Sequence, residues 1–136
     1  MGIKTVKFGG SSLADAAQFR RVGEIVRADS ARRYVIASAP GKRTPDDIKV
    51  TDMLYRCYEM ARAREDITDY FAKIAERYNA IIRDLGLNYD IAGELAYICD
   101  GINHHTGRDF AASRGEYLSS LILAKYLKYD FIDAES

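Results

Sequence analysis

Lys4-Thr5-Val6-Lys7-Phe8-Gly9-Gly10-Ser11-Ser12 reads as a short buried strand that runs straight into a glycine pair, two hydroxyls and then a helix. Val6 and Phe8 supply the β-branched and aromatic character of a strand. Gly9 and Gly10 remove Cβ where the backbone must turn sharply or lie against a ligand. The N-terminus of the following helix, with its partial positive charge, points back at the same place. Lys7, free amides and the hydroxyls of Ser11 and Ser12 together make an anion seat, and phosphate is the usual anion. A strand-to-helix turn that merely requires glycine accounts equally well for these residues taken alone. No G-x-x-x-x-G-K-[ST] loop occurs.

Downstream, Asp15 and Gln18 have capping-box spacing for a helix from about Asp15 to Asp29, with Phe19, Val22, Ile25 and Val26 as its apolar stripe. Tyr34–Ala39 reads as a second strand, apolar enough to expect cover on both faces. Strand, helix, strand in this order predicts a parallel, right-handed unit. Ligands of such sheets collect beyond the carboxyl ends of the strands, which puts Ser38, Lys42 and Arg43 on the same edge as Gly9 and Gly10. The polar stretch from Lys42 to Val50 reads as an exposed loop. Its basic pair either meets a phosphate or carboxylate or is simply solvated.

Four helical patterns follow. The first opens at Thr51 or Asp52 and carries Met53, Leu54, Cys57, Tyr58 and Ala61. The second carries Ile67, Phe71, Ile74, Tyr78, Ile81 and Leu85, with Gly86 at the C′ position. The third carries Ile91, Leu95, Ile98 and Ile102. The last runs from about Arg108 to Lys128 on Leu118, Leu121, Ile122 and Leu127. Gly115 inside it costs about 1 kcal/mol relative to alanine. Close approach of a ligand or another backbone explains that cost and sets Glu116 beside the approach; a helix-packing glycine with a solvated glutamate is the alternative. Tyr129–Ala134 reads as a third strand. Three strands leave helical faces without a sheet to cover, so the expectation is a larger domain or completion by another chain.

The 136 residues suit one domain, and 48% hydrophobic content provides a core. Lys+Arg and Asp+Glu both number 20, so no net field recruits nucleic acid or an anionic membrane. No apolar run approaches the roughly 18 residues of a spanning helix, and the N-terminus lacks a signal-peptide core. Cys57 and Cys99 form no C-x-x-C pair, so reduced thiols and a cytoplasmic setting are expected. Asp100 and His104 have i, i+4 spacing but no third ligand, and no metal site is expected from them.

K-F-G-G-S-S after the first strand, S-A-P-G-K after the second, K-V-T-D-M-L opening the third helix and R-G-E-Y-L-S-S near the end stand in one order and spacing. In this the chain resembles the aspartokinases (aspartate kinases) of the amino-acid kinase family over nearly all its residues. The resemblance implies an α/β fold, a three-layer α/β/α sandwich with a mainly parallel sheet of the carbamate kinase-like kind. It also implies transfer of the ATP γ-phosphoryl group to the side-chain carboxylate of L-aspartate, giving 4-phospho-L-aspartate, the first step towards lysine, threonine and methionine.

By the same resemblance Lys7 is catalytic, neutralising charge on the transferring group. Gly9, Gly10, Ser11, Ser12 and Ser38 adjoin the phosphates, and Thr51 and Glu116 contact aspartate, Glu116 through the ammonium group. Mg²⁺ comes with ATP, and a carboxylate acceptor needs no general base. Ser11 stands where many members have threonine, which keeps the hydroxyl. The family's nucleotide half, its substrate-binding arginine and its ACT domains have no counterpart within residues 1–136. The chain is therefore expected to be the incomplete, helix-rich N-terminal part of such a catalytic domain, inactive alone, from a homo-oligomeric full-length parent. Another amino-acid kinase, or a non-catalytic interaction or regulatory domain of this fold, is the alternative.

Overall fold

The computed structural model describes residues 2–104 and 106–132. Strand β1 (Lys4–Phe8) is followed by a 3₁₀ turn (Gly10–Leu13), helix α1 (Ala16–Arg27) and strand β2 (Arg32–Ala37). Helices α2 (Val50–Arg62), α3 (Thr68–Asp84), α4 (Ala92–Asn103) and α5 (Arg108–Leu127) complete the order. β1 and β2 pair in parallel, with Val6 opposite Val35, Lys7 opposite Ile36 and Phe8 opposite Ala37. The expected parallel unit is present, and the chain is helix-rich α/β.

The local signals were legible where chemistry is strong. Asp15 caps α1 by accepting from the Gln18 amide at 3.0 Å. Gly86 adopts φ +70°, and the Leu87 amide reaches back to the Ile82 carbonyl at 3.1 Å, a left-handed helix ending. Ile91, Leu95, Ile98 and Ile102 are all buried, as their spacing requires.

Three expectations are corrected. First, α1 begins at Ala16, in keeping with the expected start near Asp15, but its N-terminus is not a free anion seat at the glycine pair: a 3₁₀ turn separates the two, and Asp15 already takes the Gln18 amide. The anion seat therefore cannot rest on the α1 terminus. Second, β2 is not covered on both faces. Val6, Phe8, Val35 and Ala37 pack on the core, whereas Thr5, Lys7, Tyr34 and Ile36 are exposed. Ile25, counted in the α1 stripe, is likewise exposed at 46%. Third, Tyr129–Ile132 form no strand, while Asp133 and Ala134 lie outside the described residues. Lys128 turns left-handed, and the Tyr129 amide caps α5 on the Ala124 carbonyl at 2.9 Å. The two-stranded sheet thus has helices on one face only among the described residues.

Helix α5 packs against β2 and all four other helices. Its buried residues, Ala111, Arg114, Gly115, Leu118, Ser119, Ile122, Leu123 and Leu127, take up more than half of its circumference. Burial on several sides is what a central helix requires. No helix among the described residues is long and apolar enough to cross a membrane.

Candidate functional site

At the carboxyl end of the sheet two loops touch backbone to backbone. The Ser38 amide donates to the Phe8 carbonyl at 3.2 Å, and the Gly41 amide donates to the Gly10 carbonyl at 2.8 Å. A Cβ on Gly41 would lie 2.8 Å from the Gly10 carbonyl carbon, and one on Gly10 would lie 3.0 Å from the Ala39 oxygen. Only paired glycines let the Gly10 turn and the Pro40–Gly41 loop approach this closely.

The opposite wall is α5. A Cβ on Gly115 would fall 2.6 Å from the Ala39 Cβ and 3.2 Å from Leu54 Cδ1. The glycine inside the helix therefore serves close packing of α5 on the end of β2. One residue on, Glu116 is exposed and faces the same space. A cavity of about 560 Å³ is lined by Gly10, Ser11, Ser38, Lys42, Thr51 and Glu116, together with Ala39, Pro40, Gly41 and Lys49.

Five of the eight residues expected at the site line this cavity: Gly10, Ser11, Ser38, Thr51 and Glu116. Lys7, Gly9 and Ser12 do not. Lys7 is exposed on β1 opposite Ile36, one step from the Phe8–Ser38 bond. The Ser12 amide is committed to the Gly9 carbonyl at 3.1 Å. A second cavity, of about 850 Å³, lies along β2 between Tyr34–Ala37, the C-terminal half of α5 and Tyr129–Ile132, and holds none of these residues.

The loop from Lys42 to Val50 is tied rather than loose. Arg43 grips Asp47 with two nitrogens, Nε at 2.6 Å and Nη2 at 3.0 Å, and its amide also donates to Asp47 at 3.0 Å. These bonds hold the Asp47 carboxyl below the usual carboxylate range and raise Arg43. Of the basic pair, Arg43 is thus engaged internally and Lys42 faces the cavity. The Val50 amide closes the loop on the Pro40 carbonyl at 3.0 Å.

Two side chains that sequence reasoning did not assign hold these walls. Arg77 of α3, 4% exposed, donates to the carbonyls of Gly41 at 2.7 Å, Ile48 at 2.9 Å and Ala14 at 3.2 Å. Burial lowers its pKa, as does the nearby Arg43 charge, while Asp47 acts the other way. Tyr78 is fully buried, and its hydroxyl donates to the Gly115 carbonyl at 2.8 Å; burial pushes its pKa up. An arginine between Ile74 and Tyr78 on the apolar side of a helix was the available signal.

Known proteins share this fold. A solved structure of the Clostridium acetobutylicum aspartate kinase superposes with a TM-score of 0.95 at 47% identity over 98% of this chain. Aspartokinase 3 of Bacillus subtilis is 37% identical over 139 residues, covering 98% of the chain.

The chain is an aspartokinase homologue.

It spans 31% of the length of each of those two aspartokinases. Escherichia coli aspartokinase III, solved in complex with aspartate and ADP, superposes with a TM-score of 0.72 at 26% identity over 93% of the chain and 29% of its own. No family profile matches the chain.

Proposed function

We propose that residues 1–136 form the substrate-side, N-terminal part of an aspartate kinase catalytic domain, whose whole protein transfers the ATP γ-phosphoryl group to the side-chain carboxylate of L-aspartate. The observation that carries this reading is one cavity holding Gly10, Ser11, Ser38, Thr51 and Glu116, brought together from the 3₁₀ turn, the residue after β2, α2 and α5. The relatives' name supports the activity, and the aspartate and ADP bound to the Escherichia coli enzyme support the ligand pair. On this reading the three-layer sandwich is completed on the bare sheet face by the rest of the parent. The setting is cytoplasmic, and the parent is a homo-oligomer.

The residues suit the chemistry. Phosphoryl transfer to a carboxylate joins two anions, so positioning and positive charge matter more than a base. Gly10 lets backbone approach phosphate oxygens, and the Ser11 and Ser38 hydroxyls donate to them. Lys7, one residue before the Phe8–Ser38 bond on β1, neutralises charge on the group in transit from ATP to the aspartate carboxylate. Lys42 adds positive charge at the loop edge. Glu116 pairs with the substrate ammonium group, and Thr51 hydrogen-bonds the same molecule. Mg²⁺, bound to the ATP phosphates, offsets their charge. Among the described residues no cluster of three or more metal-ligating side chains occurs.

The test is a chimera. These 136 residues replace the matching 31% of the Clostridium acetobutylicum aspartate kinase, and ADP release is measured with L-aspartate or L-glutamate. Aspartate-dependent ADP release, well above that with glutamate, is expected. A chimera that melts cooperatively yet releases no ADP with aspartate contradicts the proposal.

A further inference from the structure

We propose that Arg77 is a positioning residue of the cavity, fixing the Gly10–Ala14 turn and the Gly41–Ile48 loop on one another through three carbonyl hydrogen bonds. What the cavity does rests on the phosphoryl-transfer reading; the latch itself is geometry.

Burial of a guanidinium is strongly unfavourable unless its donors are satisfied. Arg77 is 4% exposed, and its three acceptors come from two separate stretches of chain. Ala14 lies between the 3₁₀ turn and α1; Gly41 and Ile48 lie between β2 and α2. Neither stretch has a helix or sheet ladder of its own at these points. Asp47, 3.6 Å from Arg77 Nη1, ties the same guanidinium to the Arg43–Asp47 pair. A leucine or methionine would fill the core but would leave three carbonyls without this donor.

Arg77 does not itself line the cavity. It acts through Gly41, which lines it and is bonded to Gly10 on the facing turn. The long helix α3 supplies the fixed point, since its Phe71, Ile74, Tyr78 and Ile81 are buried in the core. A planar fork is needed to reach three carbonyls in different directions, and an ammonium group cannot reproduce that geometry.

The test compares amide hydrogen exchange in the wild-type chain, Arg77→Lys and Arg77→Met. The amides of Gly41 and Val50 report on the loop; those of Leu118 and Ile122 report on α5. At least tenfold faster exchange at Gly41 and Val50 is expected in both variants, larger in Arg77→Met, with α5 unchanged. Unchanged loop exchange, or equal acceleration at all four amides, overturns the proposal. If Arg77→Met fails to fold, Arg77→Lys carries the comparison.

In the chimera, Arg77→Lys is expected to lower kcat at least tenfold at unchanged folded fraction. A wild-type level kcat in that variant overturns the positioning role. An inactive wild-type chimera removes the kinase reading alone, because the exchange comparison decides the latch without any turnover.

Discussion

The Tyr78 hydroxyl meets the Gly115 carbonyl at 2.8 Å, inside the core and one residue away from Glu116. Arg77, its neighbour on α3, bonds the Gly41 carbonyl at 2.7 Å. Consecutive residues of one helix therefore hold the two walls of one cavity. Tyr78→Phe keeps the ring and removes one buried hydrogen bond. We expect a loss of about 1 kcal/mol, read as a lower urea midpoint with unchanged slope. An unchanged midpoint would mean that the bond holds nothing.

Gly115 sets the distance between α5 and the end of β2. Alanine there gains about 1 kcal/mol of helix propensity. Against this, its Cβ would sit 2.6 Å from the Ala39 Cβ. Overpacking of this kind costs about 1–3 kcal/mol, so we expect net destabilisation of Gly115→Ala by about 1 kcal/mol. Adding Ala39→Gly removes the nearest atom, and the double variant should recover part of the loss. Denaturation of the four proteins in the cycle measures this; strictly additive effects would contradict the proposed contact.

Asp47 gives the loop a pH dependence. Its folded pKa lies below the ordinary value near 4 because Arg43 bonds the ionised form. The stability it contributes is therefore fully present above about pH 4 and is lost as pH falls further, toward the lower folded value. Arg43 is half-exposed and partly screened, so the contribution is about 1 kcal/mol. Melting of wild type and Asp47→Asn should differ above pH 5 and converge in more acidic solution. A constant difference across that range would show that the ionised carboxylate is not the source.

The two thiols should react differently. Cys57 is fully buried, and burial pushes its pKa up to about 12. Cys99 is half-buried, with a pKa raised by burial and by Asp100. Iodoacetamide at pH 8 should therefore label Cys99 slowly and Cys57 only after denaturation, as read by peptide mass spectrometry. Labelling of native Cys57 would contradict its packing between the helices.

How much of this was legible follows from the range of each interaction. Asp15, Gly86 and the isoleucines of α4 act within a few residues, and their sequence pattern named their structure. The glycine pair was legible as a turn, but its companion Gly41 was not, because the contact joins chain segments thirty residues apart. Tyr34 and Ile36 read as core because apolar character does not reveal which face is covered. Gly115 had two readings on spacing alone, and the position of Ala39 separates them. Arg77 lay in plain view on an apolar stripe, but only the fold shows which carbonyls it reaches. Strand direction singled out Ser38 and the spacing from Gly115 singled out Glu116, whereas their ligand roles and that of Thr51 came from motif resemblance; the fold brings the three to one cavity with Gly10 and Ser11.

The measurement closest to the central claim is the aspartate dependence of the chimera carrying Glu116→Gln. If Glu116 holds the substrate ammonium group in this cavity, loss of its charge should raise KM for aspartate by about 10- to 100-fold, with a smaller change in kcat. KM for ATP should stay within about twofold, since only one ligand loses a contact. An unchanged KM for aspartate in a folded, active chimera would contradict the assignment of this cavity as the acceptor site.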